Sequence, residues 1–172
     1  MVREAVVYYP APFCKNYNTD IFDTPGLGDE ATMTDVTMRV LPQVDATVMV
    51  VMANAPFADS EGKFVWELLQ RGLPTPLFVI NAIDRVREQQ RERLIGDIRN
   101  RIESSIQRYA ETTYKLNTPQ YDAFMKRYGQ VRLFALSSFQ ALEGKITNNA
   151  DLLETSAFSQ FEESLEKFLA EE

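Results

Sequence analysis

The sequence predicts an α/β fold built on a mostly parallel sheet with flanking helices. Strand-like apolar runs alternate with helix-length amphipathic segments after residue 19. The run Asp45-Ala-Thr-Val-Met-Val-Val-Met-Ala53 is almost wholly apolar, as in a parallel strand buried on both faces. Three apolar runs each end in a polar group: Asp23-Thr24-Pro25-Gly26, Asn81-Ala82-Ile83-Asp84 and Ser137-Ser138. In a parallel sheet all three ends meet at the carboxyl edge, where ligands bind.

Each element has its own local cause. Glu4 to Tyr9 is rich in β-branched and aromatic residues and reads as a strand; residues 10–18 read as a connection. Thr19 to Asp23 reads as the strand that delivers the first polar end, and Ala31 to Leu41 has helical character. Asp59 or Ser60 suits the cap of a helix that turns Phe64, Val65, Leu68 and Leu69 inward. Leu77 to Ile80 is a strand bounded by Pro74 and Pro76. From Arg87 to about Tyr114, Leu94, Ile98, Ile102 and Ile106 recur every four residues with charges between them, the pattern of a long helix. Pro119 breaks it; Tyr121 to Tyr128 adds a helical turn or two, and Val131 to Leu136 a strand. A short helix is expected over Phe139 to Leu142, and an amphipathic one carrying Phe158, Phe161, Leu165 and Phe168. Crossovers between the parallel strands are expected to be right-handed.

Composition narrows the chemistry. The chain has 172 residues, enough for one domain with a real core, and 45% are hydrophobic. A net charge of −7 argues against a nucleic-acid backbone or an anionic membrane as the partner of this surface. With one cysteine, Cys14, an internal disulfide is excluded. There is no histidine, which removes imidazole bases, Ser–His–Asp triads and histidine metal sites. No apolar run reaches the length of a membrane span, and nothing after Met1 reads as a signal peptide. The methionines and phenylalanines read as core rather than as a cofactor box.

The polar strand ends carry the functional signal. A carboxylate at Asp23 can hold Mg²⁺ directly or through water, and Gly26 admits a backbone N–H close to a phosphate. A turn with Pro25 and Gly26 at its centre is the plainer account of the same residues. Guanine presents N1–H and N2–H₂ side by side, a pair that one carboxylate, Asp84, can accept. Asn81 can tie neighbouring loops together, and backbone N–H groups near Ser138 can meet the guanine O6. Alternatively, Asp84 caps the helix that follows it, and Ser137 or Ser138 caps the next one.

Taken in order, these motifs make the chain resemble the GTP-binding domain of the dynamin superfamily, most of all the bacterial dynamin-like proteins. DTPGLGD, residues 23–29, resembles the third GTPase motif of that family, and NAID, residues 81–84, its guanine-specificity motif, usually N/T-K-x-D. Residues 134–142 and Ser156-Ala-Phe-Ser-Gln-Phe161 resemble the closing segments of the domain. Two departures stand out. Ala82 occupies the usual lysine position, whose stem packs on the nucleotide, and no G-x-x-x-x-G-K-[ST] loop occurs in the 172 residues.

The resemblance implies an incomplete P-loop GTPase-type α/β domain over residues 1–172, lacking the first strand, phosphate loop and first helix. It implies a parent that binds GTP with Mg²⁺, hydrolyses it, self-associates through its nucleotide face and remodels membranes through other helical regions. That parent is expected to be cytoplasmic and peripheral to the membrane. Asp23, Thr24, Pro25 and Gly26 would lie at the phosphates, with Asp23 organising Mg²⁺ through water. Asn81, Asp84, Ser137 and Ser138 would lie at the base. The chain alone is expected not to hydrolyse GTP, and the rival expectation is a pseudo-GTPase scaffold without hydrolysis. The missing strand would also leave Ile21-Phe22 and Thr47–Val51 without their common neighbour.

Overall fold

The computed structural model describes residues 7–8, 12–24, 37, 39–55, 57–73 and 76–170. Its centre is a three-stranded parallel sheet in the order β1 (Val48–Met52), β2 (Leu77–Asn81), β3 (Leu133–Ala135). Val50 lies opposite Val79, and Ile80 opposite Ala135. Seven helices occur among the described residues: α1 (Pro12–Tyr17), α2 (Asp59–Gln70), α3 (Glu88–Thr113), α4 (Pro119–Tyr128), α5 (Ser138–Thr147), α6 (Ala150–Thr155) and α7 (Phe158–Ala170). None is long and apolar enough to cross a membrane.

The main core lies on one face of the sheet. Met49 and Val51 of β1 and Phe78 and Ile80 of β2 pack there against α2, α3 and α4. The four-residue recurrence on α3 is realised as expected: Ile98, Ile102 and Ile106 are fully buried. Trp66 of α2 donates its indole N–H to the Ser105 carbonyl of α3 at 3.2 Å, joining the two helices. On the opposite face Val79 and Leu136 meet Phe161 of α7, with Phe134, Phe158 and Leu165 around them. Thus β2 is covered on both sides.

Several expectations need correction. Strands were expected over Glu4–Tyr9 and Thr19–Asp23. Val7 and Tyr8, the described part of the first, lie in no strand and are exposed, and residues 19–24 form no ladder. Ile21 is 72% and Phe22 55% exposed. Their side chains favour a pleated surface, but a strand exists only where a second segment pairs with it, and no described strand pairs with them. β1 is buried on one face only: Val48, Val50 and Met52 are exposed, because α7 covers β2 and β3 and stops short of them. The connection expected at 10–18 contains α1, and α6 was not foreseen. Neither Asp59 nor Ser60 is the cap of α2. The Ala58 N–H, at the cap position, donates to the Glu61 carboxylate at 3.1 Å. Of the helix expected over Ala31–Leu41, Thr37, Arg39 and Val40 are helical and the rest lies outside the described residues, apart from Leu41, which opens a 3₁₀ turn.

Candidate nucleotide-base site

The candidate site sits where β2 and β3 end. As the chain leaves β2, the Ala53 N–H from the end of β1 donates to the Asn81 carbonyl at 2.9 Å. Ala82 then adopts a left-handed conformation, φ 61° and ψ 36°. The turn brings the Ala82 N–H back onto Asn81 Oδ1 at 2.8 Å. Ile83 follows, 7% exposed, as an apolar plug whose N–H donates to the Leu136 carbonyl at 3.2 Å. Ile83 to Arg85 form a single 3₁₀ turn, closed by the Val86 N–H on the Ile83 carbonyl at 3.0 Å. Asp84 is therefore held in a short rigid turn and does not cap α3, whose cap position is Arg87.

The second strand end is joined to the first. Leu136 donates its N–H to the Ile80 carbonyl at 2.9 Å, continuing the ladder past β3. Ser137 is fully buried, and its hydroxyl accepts the Gln140 N–H at 3.1 Å as the cap of α5. The capping account of Ser137 is thus the one realised, and its side chain does not face a ligand. The Ser138 N–H donates to Asn81 Oδ1 at 3.0 Å. Asn81 consequently bridges the two loops, as its sequence position suggested, and accepts two N–H groups with one oxygen. The Ser138 amide, one of those expected near a guanine O6, is occupied by this bond. The Phe139 N–H stands next along, in the first helical turn, where an amide has no intrahelical acceptor.

Asp84 holds the chemically informative atom. Its Oδ1 is buried and has no hydrogen-bond partner. A buried acceptor left unpaired costs about 1–3 kcal/mol, more when charged. Native interiors rarely carry such a group unless a ligand or water completes it. A donor group, from a ligand or from water, would complete it.

The phosphate end is less complete. Asp23 is exposed and Thr24 half-buried, both outside any strand, and neither shares a hydrogen bond with the Asn81–Ser138 cluster. Pro25 and Gly26 lie outside the described residues. Mg²⁺ would find the Asp23 carboxylate, but no group of three metal-ligating side chains occurs among the described residues. The structure thus joins Asn81 to Ser138 directly, with Asp84 and Ser137 close by along the chain, while Asp23 and Thr24 share no hydrogen bond with them. Sequence reasoning passed over Ile83 and Leu136. Their only signal was apolar character beside polar motif residues, which pointed to core.

Comparisons with known proteins agree with this fold. The profile described as "Elongation factor Tu GTP binding domain" matches residues 2–170. The chain is 29% identical over 173 residues to the "Bacterial dynamin-like protein" of Nostoc punctiforme, covering 99% of this chain and 24% of that protein. It is 30% identical over 165 residues to the "Uncharacterized protein in xynA 3'region" of Caldicellulosiruptor sp., covering 95% of this chain and 36% of that protein. It spans well under half the length of either relative. With its parallel sheet and flanking helices, the chain belongs to the family of the elongation factor Tu GTP binding domain, and its likeness to a bacterial dynamin-like protein runs along its whole length.

Proposed function

We propose that the Asn81–Asp84 turn and the Ser138 end of α5 form the base end of a guanine-nucleotide site. The single observation that carries the reading is the buried, unpartnered Oδ1 of Asp84 at the carboxyl edge of a parallel sheet. Guanine supplies N1–H and N2–H₂ on one edge, and a carboxylate fixed in a short turn accepts both. Adenine offers an acceptor at N1 and no amino group at C2, so the same turn repels it. Asn81 holds the turn against the α5 loop, and Ala82 takes the place of a long side chain that would cover one face of the base. Asp23, Thr24, Pro25 and Gly26 form the phosphate side, with Mg²⁺ held at Asp23 through water.

The domain serves a GTP-hydrolysing, dynamin-like protein of which residues 1–172 are one part. That protein self-associates through its nucleotide face and works at a membrane from the cytoplasmic side, remodelling it through regions outside these residues. Support comes from the family match and from likeness to a protein named as dynamin-like.

The test is base selectivity in the natural full-length protein. Asp84→Ala should weaken GTP by roughly 2–4 kcal/mol, the scale of two hydrogen bonds to a charged acceptor, and leave ATP almost unchanged. Competition titrations with both nucleotides measure it. Equal loss for the two, or none, would return Asp84 to the role of a turn residue.

A further inference from the structure

The segment Ser156-Ala-Phe-Ser-Gln-Phe161 stands out in the sequence, yet none of its side chains is assigned to the base site. Its first residue lies at the corner between α6 and α7 and is fully buried. A buried hydroxyl requires partners, and Ser156 has two. Its O–H donates to the Leu153 carbonyl at 2.6 Å, and its oxygen accepts the Phe158 N–H at 3.2 Å. Those bonds tie the last turn of α6 to the first residue of α7. Between them Ala157 takes a left-handed conformation, φ 56°. The corner is thereby fixed in one shape, and that shape aims the Ser156 carbonyl at β3, where it accepts the Ser137 N–H at 2.9 Å.

Ser137 is thus gripped from two sides. Its neighbour Leu136 is bound to Ile80 of β2 and to Ile83 of the base turn, while its own N–H is bound to Ser156. The next amide, Ser138, holds Asn81 Oδ1, which in turn holds the Ala82 N–H. Hydrogen bonds joined through the Ser137–Ser138 peptide link run from the Ser156 corner to the turn that carries Asp84. Ser156, at the start of that line, is not among the groups placed at the proposed base.

We propose that Ser156 is a positioning residue for the base-reading turn: its hydroxyl fixes the α6–α7 corner, the corner holds Ser137–Ser138, and Ser138 holds the Asn81 side chain that orients Ala82 to Asp84. The proposal rests on the guanine reading above and adds a residue from outside the base edge. It also explains a polar side chain kept at full burial beside the apolar cluster of Val79, Leu136 and Phe161.

The experiment compares four variants of the natural full-length protein. Ser156→Ala removes the two hydroxyl bonds. Ala157→Gly changes the same corner but keeps the hydroxyl. Ser138→Pro cuts the line at its far end: Ser138 is the first residue of α5, where proline is tolerated, and Ser137 has the extended backbone that precedes proline, φ −118° and ψ 102°. Asp84→Ala is the control for the base contact. The readouts are the ratio of GDP to ADP affinity by competition, and hydrogen exchange of peptides spanning 136–141 and 98–106.

Ser156→Ala and Ser138→Pro should each lower the GDP-to-ADP ratio at least about fivefold, the scale of one lost hydrogen bond. In Ser156→Ala, exchange should quicken over 136–141 and stay unchanged over 98–106. Ala157→Gly should keep the wild-type ratio. A folded Ser156→Ala protein with an unchanged ratio, or with equal losses for both nucleotides, would overturn the proposal. So would a lowered ratio in Ala157→Gly. If Ser156→Ala does not fold, Ser138→Pro decides: an unchanged ratio there breaks the line and the proposal with it. A wild-type protein with no guanine preference, and no response to Asp84→Ala, would instead overturn the guanine reading itself.

Discussion

Ala82 sits at φ 61°, where an L-residue with a Cβ is strained by about 1–2 kcal/mol. It sits there because this turn lets Asn81 Oδ1 collect the N–H groups of both Ala82 and Ser138. Local strain at a recognition loop is commonly sustained by its surroundings, here Ile83 packed into the core below. Glycine adopts the same backbone freely but gains entropy when unfolded. Ala82→Gly should therefore raise stability by a net ~0.5–1 kcal/mol, a shift of a few degrees in Tm by calorimetry; a lower Tm would mean that the methyl group is packed rather than strained. Tyr128 offers a second test at this scale. Burial pushes its phenol above the ordinary tyrosine range, against a smaller opposing pull from Arg127. A group whose folded pKa is raised contributes stability that is complete below the unfolded value and lost as pH rises through the folded one. Urea melts should show a stability loss beginning above about pH 10, and Tyr128→Phe should diminish it. Residue types made Asn81 legible as a tie between loops, and the structure joins it to Ser138, since an amide oxygen beside two loop N–H groups carries that chemistry itself. The left-handed turn at Ala82 and the buried corner at Ser156 were not legible, because alanine carries no left-handed signal and serine is ordinarily exposed.

α3 shows where an element was readable and what holds it. Its 26 residues were foreseen to within a residue at each end, because one side chain in four, from Ile98 to Ile106, repeats on the buried face. The repeat from Leu94 to Ile106 covers more than three turns and survives any single misleading residue. Ile102 stands at the middle of that face with no exposed surface. Ile102→Ala should cost roughly 2–5 kcal/mol, through lost transfer energy and the cavity left against Phe78 and its neighbours. Chemical denaturation at constant slope would measure it; a cost below about 1 kcal/mol would mean that α2 and α4 close over the gap. The two six-residue helices, α1 and α6, were missed for the converse reason: neither has room for a repeat. α6 did carry a signal, since Asn149 caps it by accepting the Asp151 and Leu152 N–H groups at 3.1 and 3.2 Å. The strand expected at 19–23, and the described Val7 and Tyr8 of the one expected at 4–9, failed differently. Their composition favoured pleated structure, but a ladder is a relation between two segments, and composition describes only one.

At the scale of the whole molecule, the uneven covering of the sheet has a consequence. β2 is clad on both faces, whereas Val48, Val50 and Met52 of β1 stay exposed, Val50 at 56%. The register fixes which backbone groups are free. The Leu77 N–H binds the Thr47 carbonyl and the Ala53 N–H binds the Asn81 carbonyl, so the odd-numbered residues of β1 face β2 and the even-numbered ones face outward. Among the described residues no strand pairs with that side of β1, where Val48 and Val50 expose apolar side chains and the Met52 carbonyl accepts the Ala55 N–H at 3.0 Å. β1 contains no charge and no proline, the devices that ordinarily keep an edge from pairing with other chains. Ile21 and Phe22 add further exposed apolar surface. A net charge of −7 opposes association, but its repulsion is screened beyond about 8 Å at physiological salt, while edge pairing acts at contact. The 172-residue chain made by itself should therefore self-associate or be poorly soluble. Size-exclusion chromatography with light scattering should show species larger than a monomer, growing with concentration. Val50→Lys, which places a charge at the centre of the open strip, should shift the distribution toward monomer at little cost in stability, since that side chain faces water. A wild-type chain that runs as a cooperatively melting monomer at high concentration would show that the β1 edge is closed in solution.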